Sequence, residues 1–458
     1  MLERLFNIKG RGSSVRTEVL GGATTFITMA YIIVVNPAIL SNAGIPVGPS
    51  TVATILTAVF GCLLMGFLAN RPIAVAPYMG ENAFIAFGLA ALGIGWQQRL
   101  GTVFVSGLVF LVITVLGLRA WLANSISVSM KHSFAVGIGL FLAFIGLYET
   151  GIVTSFVTGM PPAAFLSDGA SGLLRAPDVP VKLGNIRDPQ VLLAIFGFLL
   201  ISALLYHRVR GAILLGIAVT AAAGCLMGYG TPPQGVVAAP FVGDFSLAPI
   251  ALKLDVAGVL KVSFLPILLT LFLMSFLDTL GTLVGVGSAG NMLDEKGNFP
   301  QIERPMLVDA LTCVFSGLVG TSTSGAYIES ATGIREGART GLASVITALL
   351  FACALFFLPL IGPLQHLRFA YCPALIAVGV LMIGSVRKID FDDLTELVPA
   401  FTTVVMMLFT YNIANGLTAG LVVYPFAKVA AGRWREVSGG SVALAALCLV
   451  YYIFGLPH

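Results

Sequence analysis

Residues 73–93 read IAVAPYMGENAFIAFGLAALG, and residues 319–338 read VGTSTSGAYIESATGIREGA. Both stretches are apolar enough to lie in a bilayer, and neither can run as an uninterrupted helix. In the first, Pro77 removes a backbone donor and biases Ala76 towards extended geometry. In the second, Val319 to Gly325 is β-branched and hydroxyl-rich, a poor start for a helix within lipid. Each is expected to be a short extended piece feeding a half-helix. Such backbone survives at membrane depth only where protein or a cavity satisfies it. The two half-helix N-termini are then expected to face each other near the midplane, offering free N–H groups and positive dipole ends.

The rest of the chain supplies the membrane setting. Of 458 residues, 57% are hydrophobic and 10% charged, against roughly 25% charged in a soluble domain. Mean hydropathy is +0.98. So few charges cannot cover a water-facing surface, which excludes an ordinary soluble protein. A bilayer core about 30 Å thick needs about 20 apolar residues per helix. Suitable runs lie near 19–40, 51–69, 99–118, 132–148, 190–206, 211–228, 262–290, 305–320, 340–361, 371–386, 396–410 and 413–431. With the two interrupted stretches they make fourteen membrane segments. The run 440–456 fits either a fifteenth span or an interfacial helix. Gly21 to Leu40 follows a polar leader and has the length of a span, so no signal peptide is expected. Six cysteines fall in or beside apolar runs without CxxC or Cys/His metal spacing; they read as small packing residues, and no cofactor is expected.

Basic residues set the orientation. Arg4, Lys9, Arg11 and Arg16 place the N-terminus in the cytoplasm, and span parity puts nearly every other basic cluster on the same side. The exception is 149–189, a Pro- and Gly-rich surface loop. Seven segments precede the polar stretch 229–261 and seven follow it, so the halves enter the membrane from opposite sides as an inverted repeat. Local echoes agree: Ala135-Val136-Gly137-Ile138 with Ala377-Val378-Gly379-Val380, and Gly80-Glu81-Asn82-Ala83 with Ile328-Glu329-Ser330-Ala331. Interrupted segments at matching places in two halves point to a transporter's binding site.

Ionisable groups inside spans cost roughly 2.5–3.5 kcal/mol each at the bilayer centre, and few are present. Asp278 sits in LMSFLDTLGTLVGV, Glu329 lies early in the second half-helix, and Glu81 with Asn82 lies early in the first. Asp309, nearer a span end, reads as structural or loop-facing. The four histidines fall at loop ends, which argues against a histidine proton relay. Carboxyl groups in a low-dielectric cavity can hold or release a proton near neutral pH, as a proton-coupled carrier needs. They also accept N–H donors from a planar polar ligand, on which Tyr78 and Phe276 are placed to stack. A channel is the competing reading from a different class; a membrane enzyme lacks a visible nucleophile–His pair, metal cluster or phosphate loop.

Four long blocks carry a resemblance over nearly the whole chain: TEVLGGATTFITMAYIIVVNPAIL (17–40), APYMGENAFIAF (76–87), SFLDTLGTLVGVGSAGNMLDEKG (275–297) and GTSTSGAYIESATGIREGARTGLAS (320–344). The sequence resembles the adenine/guanine/hypoxanthine permease branch of the nucleobase–cation symporters. That resemblance implies an all-α membrane protein of two inverted seven-segment repeats. A core domain (residues 1–118 and 262–361) would move against a gate domain (119–228 and 362–458), with 229–261 as connector. It implies purine nucleobases and protons as partners, possible assembly as a homodimer and a cell inner-membrane location. It carries functional roles to Asn82, Asp278 and Glu329. Glu81 departs from the family pattern, which more often has an apolar residue there. Xanthine or uracil is the alternative cargo.

Overall fold

The computed structural model describes residues 2–89, 92–118, 125–155, 181–233, 235–290, 292 and 299–454, the last of these with side chains only to Leu449. Its principal helices are α1 (Val15–Met29), α2 (Ile32–Ser41), α3 (Val47–Leu64), α4 (Met79–Ala83), α5 (Trp96–Val115), α6 (Val128–Glu149), α7 (Pro189–Tyr206), α8 (Ala212–Leu226), α9 (Leu265–Ala289), α10 (Glu303–Val319), α11 (Ser330–Arg335), α12 (Gly341–Ala354), α13 (Arg368–Met382), α14 (Leu394–Phe409), α15 (Ile413–Ala430) and α16 (Gly439–Phe454), with short helical turns at Leu2–Phe6, Val256–Val259 and Leu358–Ile361. Four three-residue strands accompany them: β1 (Val75–Pro77), β2 (Val153–Ser155), β3 (Val181–Leu183) and β4 (Ser324–Ala326). Among the described residues nine helical stretches are long and apolar enough to cross a membrane, and three further apolar helices are shorter. The run read as span or interfacial helix is α16. The centre of the loop 149–189 lies outside the described residues, as does the start of the expected segment 119–228. The described ends of that loop pair as the antiparallel hairpin β2–β3.

Helix ends follow local chemistry. Ser14, Ser127, Asp188, Asp393 and Asn412 cap the first turns of α1, α6, α7, α14 and α15, each accepting a backbone N–H. Pro189 then occupies the first turn of α7, where no donor is needed. At the other end of α10, Gly320 adopts φ +96°, a left-handed conformation that costs a side-chain-bearing residue. Helix packing falls into two neighbourhoods. One joins α1, α3, α5, α9, α10, α11 and α12; the other joins α6, α7, α8, α13, α14 and α15. In the first, a Cβ on Gly107 would press on the backbone of α10 at 2.8 Å, and one on Gly317 would press on Phe104 of α5 at the same distance. Only glycine allows so close an approach, the usual device for packing helices in lipid.

Both interrupted stretches open as strands, and the strands pair. Val75, Ala76 and Pro77 lie opposite Ala326, Gly325 and Ser324 in an antiparallel ladder. Tyr78 N–H donates to Thr323 O and Tyr327 N–H to Ala74 O, both at 2.9 Å. The ladder has two outer edges that lipid could not satisfy. On the β1 side, Val75 N–H donates to Cys62 Sγ (3.2 Å), whose thiol donates back to Val75 O. On the β4 side, the Cys313 thiol donates to Ser324 O at 2.9 Å. Cys62 and Cys313 are thus hydrogen-bonding partners of the strand edges as well as packing residues, which the expectation of small spacers missed.

Candidate functional site

The ladder delivers one end of each half-helix to the same place. From β1 the chain turns at Tyr78 into α4 with Glu81 and Asn82; from β4 it turns at Tyr327 towards Glu329 and α11. The rings of Tyr78 and Tyr327 lie 6.3 Å apart between centroids with planes 8° from parallel. The Tyr327 hydroxyl donates to Pro77 O, so each half holds the other's aromatic. At their far ends both half-helices meet a guanidinium. Arg99 of α5 donates to Ile85 O at 3.2 Å, and Arg339 donates to Ile334 O at 2.7 Å. A cation at a helix C-terminus satisfies free carbonyls and favours the dipole.

Helix α9 faces this junction. Asp278, Gly281 and Gly285 recur at i, i+3 and i+7, so they form one stripe of the helix. A Cβ on Gly281 would meet open space, and one on Gly285 would meet Ile328 Cδ1 at 3.1 Å. Ile328 is itself exposed, and Asp278 and Glu329 are both partly accessible. The stripe is therefore an opening that reaches two carboxyl groups. Glu329 Oε1 accepts from the Tyr31 hydroxyl at 2.8 Å, where Tyr31 marks the break between α1 and α2. Glu81 is wholly buried, and its carboxyl meets that of Asp278 within hydrogen-bonding reach.

Two buried hydrogen-bond systems support these groups. In one, the Tyr78 hydroxyl meets Thr279 Oγ1 (2.9 Å), and Thr279 donates to Asp309 Oδ2 (2.9 Å). That same oxygen accepts Ala326 N–H of β4 at 2.9 Å. Asp309 is therefore a fully buried brace for the second strand and, through Thr279, for Tyr78, and it does not face a loop. The other system centres on Asn36 of α2. Its amide N–H groups donate to Thr54 (2.8 Å) and Thr321 (3.0 Å), while its oxygen accepts from Asn82 (2.8 Å) and Ser322 (3.2 Å). All of the Asn36 side chain's main donor and acceptor positions are used.

The structure thus brings Tyr78, Glu81, Asn82, Asp278 and Glu329 to one junction. Asn82 spends its amide N–H on Asn36, and its buried oxygen has no donor among the described residues. Phe276 is placed differently. It is fully buried against Phe110 and Phe272 with centroids 6.1 and 5.7 Å away, and two residues along a helix put it on the face opposite Asp278. Tyr31, Asn36 and Thr279 join the site without a sequence expectation, while Tyr327 is one of the aromatics close in sequence to these groups. A polar Asn36 beside Pro37 inside the apolar run VVNPAIL was the available signal. A separate groove lined by Phe26, Ile33, Leu350, Cys353, Phe357 and neighbouring apolar residues has no such chemistry. Among the described residues no group of three His, Cys, Asp or Glu is placed to hold a metal ion. The junction offers carboxyl acceptors and parallel aromatic faces, a set that suits a flat ligand carrying N–H donors; the first N–H groups of α11 and that of Asn82 are already paired with the carbonyls of Tyr327, Ile328, Glu329 and Tyr78.

Residues 16–418 match the model of the Permease family. The adenine permease AdeP of Escherichia coli is 37% identical over 100% of this chain and 97% of its own. The guanine/hypoxanthine permease PbuG of Bacillus subtilis is 36% identical over 99% of this chain and 100% of its own. Among solved structures, the transmembrane domain of a cyanobacterial bicarbonate transporter, BicA, superposes with a TM-score of 0.61 at 15% identity, covering 88% of this chain and 97% of that one. At that identity the likeness speaks for the fold alone.

Proposed function

The chain belongs to the nucleobase permease family, a multi-pass membrane transporter and not an enzyme, and from that premise we propose that it imports purine bases by proton symport with alternating access. The observation that carries this reading is the pair of partly accessible carboxyl groups, Asp278 and Glu329, at the open side of the crossed half-helices. A purine presents ring and exocyclic N–H donors to carboxylates. Its flat face suits the parallel rings of Tyr78 and Tyr327. In this proposal Glu329, oriented by Tyr31, accepts purine N–H groups, and Asp278 takes the coupled proton. Asn82 holds the first half-helix in place through Asn36 and turns its free oxygen to the base; Phe276 backs the Asp278 helix. The two packing neighbourhoods are the core and gate of a fourteen-segment carrier, and the core carries the ladder and its carboxyl groups past the gate.

The names of the relatives support adenine, guanine and hypoxanthine as cargo. Uptake of labelled bases into proteoliposomes under imposed pH or sodium gradients tests both cargo and coupling. Asp278→Asn and Glu329→Gln should each abolish uptake while leaving the protein in the membrane. Wild-type uptake by the double variant refutes the proposal.

A further inference from the structure

Glu81 is a carboxyl group with an unusual surrounding. Its side chain is completely buried at the start of α4, and among the described residues no hydroxyl, and no N–H other than its own backbone N–H, is a donor to its carboxyl oxygens. Burying a carboxylate with so few donors is among the most expensive placements a side chain can have. What it does meet is the carboxyl group of Asp278. Two carboxyl groups in contact form a hydrogen bond only when one of them carries a proton.

Accessibility decides which one. Asp278 lies on the open stripe of α9 and is partly exposed, whereas Glu81 is completely buried. Desolvation acts against the charged form, so the charge belongs on Asp278 and the proton on Glu81. The surrounding groups leave this assignment intact. Tyr78 lies at the start of the same half-helix, Tyr327 beyond β4 is close to both carboxyl groups and to Glu329, and Asp309 and Cys313 face the region from α10. Helix α2 contributes the neutral amide of Asn36 by way of Asn82, and α6 contributes Ile138 against Gly80. None of these is a cation that would draw the proton off Glu81.

We propose that Glu81 is a positioning residue: it stays in its acid form and donates its O–H to the Asp278 carboxylate, aiming that carboxylate at the opening. The acid keeps its proton throughout the cycle. The coupled proton joins and leaves Asp278 on its open side, so the pair alternates between one negative charge and none. The inference rests on the purine–proton reading for its transport arm and stands apart from it in a second, base-free arm.

A glutamine has the shape of a protonated glutamate and can make the same donation through its amide, whereas methionine has nearly the same shape and no donor. In proteoliposomes at matched amounts of folded protein, Glu81→Gln should keep purine uptake within about threefold of wild type with the same pH profile. Glu81→Met should lose about ten- to hundredfold in uptake and move the profile by about one pH unit or more. Glu81→Gln as inactive as Glu81→Met overturns the proposal, because it makes the proton itself mobile; Glu81→Met equal to wild type overturns it by making the contact idle. The base-free arm is infrared spectroscopy of purified protein at neutral pH. A protonated-carboxyl C=O band should be present in wild type, kept in Asp278→Asn and lost in Glu81→Gln. Survival of that band in Glu81→Gln refutes the assignment even if a variant fails to transport. If the band behaves as expected and no form of the protein carries a purine, the cargo reading fails and the role of Glu81 stands.

Discussion

Asn36 is the side chain whose removal should reach furthest. Asn36→Leu keeps the branched shape and the number of heavy atoms and deletes both polar atoms of that side chain. Asn82 Nδ2 then loses its acceptor at 2.8 Å and keeps only a weak contact with Met79 Sδ at 3.8 Å. Ser322 loses its acceptor at 3.2 Å. Thr54 fares better, because its hydroxyl still donates to Ser50 O. A buried donor left unpaired costs about 1–3 kcal/mol, so two of them set an expected loss of about 2–6 kcal/mol in unfolding free energy. Because Asn82 and Asn36 are partners, Asn82→Leu should cost less on top of Asn36→Leu than alone, with a coupling of about 1–3 kcal/mol. Thermal unfolding in detergent for the two single variants and the double variant measures this cycle, and labelled-purine uptake should fall in parallel in both singles. The reasoning is refuted if Asn36→Leu unfolds within about 0.5 kcal/mol of wild type, or if the two substitutions simply add.

Thr279→Val should cost about 1–3 kcal/mol of stability and weaken purine affinity, since it cuts the link between Tyr78 and Asp309; Thr279→Ser should restore both, measured by thermal unfolding and by the uptake KM. At the other end of the molecule, Asp393 is held below the usual carboxylate range, chiefly by the Thr395 hydroxyl and also by its N–H, Arg433 and Lys428. A depressed carboxyl stabilises the fold fully above its unfolded value, about pH 4, and loses that contribution as pH falls through the folded value. The stability gap between wild type and Asp393→Asn should therefore hold from neutral pH to about pH 5 and close in stronger acid; a gap unchanged in acid sinks the assignment.

Much of this architecture is readable from local chemistry. Pro77 and the run VGTSTSG announce interrupted segments without any knowledge of partners, because each fails the requirements of a helix on its own. Asp278 and Glu329 stand out since charge in an apolar run needs a reason. The pairing of Val75 with Ala326 is a different kind of fact: the ladder joins residues far apart in the chain, and three-residue strands are too short to show period-two alternation. Asn36 was hidden for a related reason. One amide in an apolar helix looks like a tolerated oddity until Thr54, Asn82 and Thr321 arrive around it from three other elements. The contact of Glu81 with Asp278 also depends on how α4 and α9 cross. The position of Phe276 was legible in principle, since a two-residue offset from Asp278 already implies the opposite helix face.

The ladder also imposes an order on biosynthesis. Ala326 leaves the ribosome roughly 250 residues after Val75, an interval of about 12–50 s at typical elongation rates. Throughout that time β1 has emerged without the strand it pairs with, and only the Cys62 side of its backbone has a partner. The first half cannot release this segment into lipid with its N–H and C=O groups open. It must keep the stretch from Ile73 to Pro77 in water or against the insertion machinery until the second half is made. A chain truncated before Ser324 should therefore be retained by that machinery or degraded, however hydrophobic its other segments are.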